Sequence, residues 1–128
     1  KNNLADGKGI EIHPDGKRYE GEFKRGKYDG RGTLTLANGT RYTGEFKNSL
    51  SSGKGILKYP NGDRYEGEFR NNQYHGQGTL TLIDGRKYTG ELEKGLPHGQ
   101  GIMILADGRK YIGEFRNGQF AHKKIRGK

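Results

Sequence analysis

The chain has 128 residues, 24 of them glycine, with no cysteine or tryptophan and a formal charge of +9 from 24 basic and 15 acidic side chains. Those counts exclude disulfide staples and cysteine metal sites. No glycine-free run exceeds eight residues, against roughly 11–12 for an average helix, and no apolar run approaches the roughly 20 residues of a membrane-spanning helix.

A repeat organises the chain from its first described turn onward. Asp15-Gly16, Asn38-Gly39, Asn61-Gly62, Asp84-Gly85 and Asp107-Gly108 recur every 23 residues. In the same register run a tyrosine column, a glycine column (Gly21 to Gly113), a glutamate column (Glu22, Glu45, Glu68, Glu91, Glu114) and a final apolar column. The chain enters half-way through a unit, at Gly7-Lys8-Gly9-Ile10. After the first Asp-Gly turn, Tyr19–Phe23 reads as a strand; a longer connection, Lys24–Gly30, leads to a second strand after Gly30-x-Gly32. Asn-Gly and Asp-Gly between alternating runs are strong hairpin signals, with positive φ tolerated by Asn, Asp and Gly. The same pair of strands is predicted in units near 30–52, 53–75, 76–98 and 99–121, the first being 7–29, with a basic tail at 122–128. The expected fold is all-β: an elongated single-layer antiparallel β-meander of about five 23-residue hairpin repeats forming one array.

Alternation along a strand assigns the faces. Tyr19, Gly21 and Phe23 point one way, and Arg18, Glu20, Glu22 and Lys24 the other. The second strands supply Leu34 and Leu36, Leu57 and Tyr59, Leu80 and Leu82, and Met103 and Leu105. The glycine between Tyr and Phe leaves a gap that a large residue from a neighbouring strand is expected to fill.

The run Arg64-Tyr65-Glu66-Gly67-Glu68-Phe69, followed by Asn71-Asn72 and His75-Gly76-Gln77-Gly78-Thr79-Leu80, closely resembles the MORN (membrane occupation and recognition nexus) repeat. The likeness extends from residue 7 to about 120. It departs in unit two, where Asn48-Ser49-Leu50-Ser51-Ser52 replaces the loop motif, and in unit five, where His122 and Lys124 replace both late glycines. With no initiator Met, the chain reads as part of something longer or as processed. The resemblance implies binding and assembly, since such arrays accompany lipid kinases, junctional membrane proteins, methyltransferases and cytoskeletal scaffolds.

No catalytic, cofactor-binding or metal-ligating residue is assigned. Ser49, Ser51 and Ser52 share one loop with no histidine and acid arranged beside them, and read as a solvated connection. His75 and His98 occupy one column a repeat apart, nearly 10 Å by strand spacing, too far to share a metal held by bonds of about 2 Å. They read as loop-packing residues. The glutamate column and the basic column Arg18, Arg41, Arg64, Lys87 and Lys110 are expected to neutralise each other or to bind the loops.

The excess charge is therefore placed in loops and ends. Lys24, Arg25, Lys27, Lys47, Arg70, Arg116, Lys123, Lys124, Arg126 and Lys128 are the candidate contacts to an anionic lipid surface. The four tail cations alone give about 4 kcal/mol, an encounter near millimolar. Nucleic acid is disfavoured as a partner, because no RNA- or DNA-binding motif appears. The favoured reading is a non-enzymatic scaffold for protein–protein interaction or self-association. Its partner-binding face is Tyr19, Phe23, Tyr42, Phe46, Tyr65, Phe69, Tyr88, Tyr111 and Phe115, most of them also core. The edge strands near 9–13 and 111–125 are the candidates for homodimerisation.

Overall fold

A computed structural model describes residues 5–121. It contains one open antiparallel sheet in which every strand pairs with its neighbour in sequence. The eleven strands are β1 (Gly7–Ile12), β2 (Arg18–Lys24), β3 (Lys27–Thr35), β4 (Arg41–Lys47), β5 (Leu50–Lys58), β6 (Arg64–Arg70), β7 (Gln73–Thr81), β8 (Lys87–Glu93), β9 (Leu96–Ile104), β10 (Lys110–Arg116) and β11 (Gln119–Phe120). No helix occurs among the described residues, and the all-β meander expected from the repeat is the observed fold.

The two kinds of turn are the reverse of the sequence expectation. The segment read as the longer connection is mostly strand. Lys24 pairs directly with Lys27, leaving a two-residue turn at Arg25-Gly26. Its equivalents are Asn48-Ser49, Asn71-Asn72, Lys94-Gly95 and Asn117-Gly118. All ten residues have positive φ, from 48° at Asn71 to 87° at Gly118, the requirement of the I′ hairpin turn. The Asp-Gly and Asn-Gly pairs sit in wider turns instead, closed by backbone bonds such as His13 N to Lys17 O at 2.8 Å. There only the glycine has positive φ. The preceding Asp or Asn accepts from the N–H two residues on, for example Lys17 N to Asp15 Oδ1 at 2.9 Å and Arg86 N to Asp84 Oδ1 at 3.0 Å. The Asp or Asn is selected for its side-chain oxygen, not for its backbone freedom.

The serine-rich variant of unit two also differs from expectation. Ser51 and Ser52 belong to β5, and Ser51 is buried. Its N–H and hydroxyl both donate to Asn72 Oδ1, at 2.7 and 3.1 Å, and Ser49 Oγ accepts from Tyr28 N at 3.1 Å. Side-chain bonds here tie adjacent hairpin turns together.

One face of the sheet carries a spine of rings. The first four column tyrosines lie along their own strands, and each hydroxyl donates to the carbonyl three residues on. Tyr19 reaches Glu22 O at 2.7 Å, and Tyr42, Tyr65 and Tyr88 repeat the bond at 2.7–2.8 Å. The rings of Tyr19 and Tyr42 meet the Phe of their own unit and that of the next edge-on: Tyr42 lies 4.9 Å from both Phe46 and Phe69. Such edge-to-face pairs contribute about 0.5–1.5 kcal/mol beyond burial. Tyr28 and Tyr74 add stacked rings, 3.8 Å from Tyr19 and 3.9 Å from Tyr65. Leu34, Leu57, Leu80 and Met103 close the spine from the second strands.

The glycines lie under these rings. Gly21 pairs with Gly32, Gly44 with Gly55, Gly67 with Gly78 and Gly90 with Gly101. A Cβ on Gly32 would stand 2.3 Å from the Tyr19 hydroxyl, and one on Gly21 would stand 2.4 Å from the Gly32 Cα. The gap between Tyr and Phe is thus closed by the same strand's tyrosine and by neighbouring backbone, rather than by a large side chain from next door.

Two stability outcomes follow. Gly32→Ala should lower the melting temperature by several degrees, whereas Gly9→Ala, whose Cβ would meet only Phe23 at 3.4 Å, should leave it within about 2 °C. Lys94→Asn should raise it, by about 3–5 °C for about 1 kcal/mol of relieved left-handed strain at φ 52°. Differential scanning calorimetry checks both.

Candidate binding groove

The face opposite the rings is built on the same glycine rows. The absent side chains of Gly44, Gly55, Gly67 and Gly78 belong to the ring face, where a Cβ would meet the Tyr42 or Tyr65 hydroxyl; on the opposite face their backbone is the floor between neighbouring residues whose side chains alternate outward as walls. The central stretch is an open trough of about 650 Å³ lined by Thr43, Ile56, Glu66, Thr79 and Thr89 on one side and Arg31, Glu45, Lys54, Glu68 and Gln77 on the other. A second stretch of about 610 Å³, lined by Lys8, Ile10, Glu20, Glu22 and Thr33, shares Arg31, Thr43 and Gly44 with it. The two form one continuous channel across the strands.

The register identifies the walls. One row runs Ile10, Glu20, Thr33, Thr43, Ile56, Glu66, Thr79, Thr89, Ile102 and Ile112, each opposite the next. Beyond it is a cationic lip: Arg18, Arg41, Lys58, Arg64, Lys87 and Lys110, all exposed and interrupted by Thr35, Thr81 and Ile104. The far wall is the glutamate column, facing Lys8, Arg31, Lys54, Gln77 and Gln100 across the strand pairs.

The glutamates have a backbone task. The ladder slips between Gly21 and Phe23, and again between Gly44 and Phe46, Gly67 and Phe69, and Gly90 and Leu92. Each slip frees an N–H on the bulged strand. Glu45 Oε1 accepts from Lys54 N at 3.2 Å, Glu68 Oε1 from Gln77 N at 3.1 Å and Glu91 Oε1 from Gln100 N at 3.2 Å. Neither expectation for this column describes these bonds: the glutamates accept from strand N–H groups rather than loops, and among the described residues no ion pair joins them to the Arg18 column. Arg18 and Arg64 instead reach Glu20 and Glu66 on their own strands, at 3.3 and 3.1 Å. The excess charge is therefore on the sheet as well as in the turns.

The sequence-predicted residues separate by face. Tyr19, Phe23, Tyr42, Phe46, Tyr65, Phe69, Tyr88 and Phe115 are buried in the spine, 0–8% exposed. Tyr111 is half-buried and stacks on Phe120 at 5.3 Å. Lys24, Arg25, Lys27, Lys47, Arg70 and Arg116 are exposed, at the two-residue-turn end of the hairpins. Lys24 and Lys27 are cross-strand neighbours there. Lys123, Lys124, Arg126 and Lys128 lie outside the described residues. His98 Nδ1, on β9, accepts from Asn117 N in the turn between β10 and β11 at 3.3 Å. Sequence reasoning missed Tyr28 and Tyr74 in the core, although Tyr28, Tyr74 and Phe120 recur every 46 residues. It also missed the groove, whose walls are set by the strand register.

Burial pushes the hydroxyls of Tyr19, Tyr42 and Tyr88 up from 10.0 to about 12, and raises Tyr65 likewise. The folded state thus holds these protons more tightly than the unfolded chain. Their contribution is complete below pH 10.0, where both states are protonated, and is lost as pH rises through about 12. The melting temperature should therefore fall across that alkaline window, with tyrosinate absorbance appearing together with loss of the sheet signal in circular dichroism.

Comparison with protein families gives a match to the model described as MORN repeat, over residues 1–18, 19–41, 42–64, 65–85, 88–108 and 111–121. No curated protein matches the chain.

Proposed function

The chain belongs to the MORN repeat family, whose repeats are known in scaffolds that interact with proteins and membranes, and from that premise we propose that it is a non-enzymatic scaffold whose glycine-floored groove binds protein. The continuous trough across the sheet carries this reading. The ring face is consumed by its own packing, while the groove offers threonine hydroxyls, isoleucines and both signs of charge along one line. That mixture suits an extended polypeptide, which presents alternating apolar and polar groups. A second copy of the chain is one such partner: Ile10 and Ile12 on β1 and Ile112 on β10 are 56%, 70% and 65% exposed.

A specific observation favours a second reading, contact with an anionic phospholipid surface. Lys24, Lys27, Lys47, Arg70 and Arg116 share one end of the hairpins. At about 1 kcal/mol each, they attract such a surface without anchoring the chain to it.

Affinity capture from cells with the parent chain, Thr79→Arg in the groove and Arg25→Glu in a turn separates the two. The expected result is a protein partner kept by Arg25→Glu and lost by Thr79→Arg, with anionic-vesicle binding seen at about 50 mM salt and gone at about 150 mM. Vesicle binding that survives the higher salt and is lost in Arg25→Glu would replace the first reading with the second.

A further inference from the structure

The cationic lip of the groove is arranged against the sheet's own interest. Arg41 stands directly opposite Lys58, and Lys58 directly opposite Arg64, on three successive strands. Like charges so placed destabilise a sheet. Arg18 and Arg64 have Glu20 and Glu66 beside them, but among the described residues no carboxylate lies within salt-bridging reach of Arg41, Lys58, Lys87 or Lys110. On the far wall Glu45, Glu68 and Glu91 are occupied with backbone N–H groups.

Resting on the groove as the binding surface, we propose that this lip recognises an acidic polypeptide in the polyproline-II conformation, with a carboxylate at every third residue. The spacing carries the assignment. Arg18, Arg41, Arg64, Lys87 and Lys110 recur once per hairpin, which is two strand spacings, or about 9.6 Å. Polyproline II advances about 9.3 Å in one three-residue turn and projects every third side chain the same way. A chain laid along the trough therefore meets one cation per turn without bending. Thr43, Thr79 and Gln77, which line the trough, supply hydrogen-bonding groups for a backbone that has no internal bonds.

Other polyanions fit less well. A nucleic acid strand carries a charge at every nucleotide, about 3.4 Å apart in a duplex strand, and would set phosphates against Glu45, Glu68 and Glu91 on the opposite wall. A bilayer surface is planar and meets the rims but not the trough. A polypeptide confines its carboxylates to one side.

The test uses two fluorescent peptides of about fifteen residues, equal in composition, with glutamates either at every third position or in one block of a Pro- and Ala-rich sequence. Anisotropy at about 150 mM salt should show the spaced peptide bound roughly tenfold more tightly than the blocked one. Arg41→Glu/Arg64→Glu should abolish that preference, while Lys47→Glu/Arg70→Glu at the turn end keeps it. Lys58→Gln, which removes a lip cation and relieves its like-charge contacts, should weaken the spaced peptide without lowering the melting temperature. Equal affinity for both peptides, or a preference that survives Arg41→Glu/Arg64→Glu, would overturn the proposal. So would tighter binding of a single-stranded oligonucleotide or of phosphatidylserine vesicles through the same two arginines. A cellular partner lost in Thr79→Arg yet indifferent to Arg41→Glu/Arg64→Glu would overturn this inference and leave the groove reading standing.

Discussion

The structure depends on a contact between two backbones. Where Gly21 faces Gly32, and at the three equivalent places, the strands come close enough that a tyrosine ring lies flat across the pair and its hydroxyl reaches a carbonyl beyond. Everything on the ring face follows from that approach. A tyrosine standing upright on a flat sheet would be half wetted, whereas Tyr19 and Tyr65 are wholly buried in a sheet one layer deep. The backbone of the same glycine rows forms the floor of the trough on the opposite face, between side chains that alternate outward.

Charge is distributed with similar economy. The glutamates that looked like an acidic ladder are hydrogen-bond acceptors for N–H groups left over by the register slip. Their engagement leaves the arginines and lysines four residues earlier without the partners that sequence arithmetic gave them. A net charge of +9 is thus not spread evenly over a soluble surface. Much of it stands in a line along one wall of a channel, where its field acts on whatever lies there.

The repeat, the strand alternation and the aromatic face were legible in the sequence because each is a property of spacing. A 23-residue period survives any error about turns. The turns themselves were misread. Asn61-Gly62 looks like a tight hairpin by composition, but Asn71-Asn72 makes one, and only the two-residue register between Arg70 and Gln73 reveals it. The glutamate role was hidden for a related reason: a bulge leaves no mark in the pattern of apolar residues, so the freed N–H that Glu68 accepts could not be anticipated. The groove was hidden because its walls are rows of side chains from several strands whose register had to be known first.

The ring that stacks on the column tyrosine is not present in every unit. Tyr28, Tyr74 and Phe120 occupy that place in alternate units, with Ser51 and Pro97 between them. A repeat array distributes its stability over nearest-neighbour interfaces, and here those interfaces are of two kinds. The seams at Ser51 and Pro97 lack the stacked ring and are the weaker ones. The true period of cooperativity is then two hairpins rather than one, so that such an array would lengthen or shorten without loss only in steps of 46 residues.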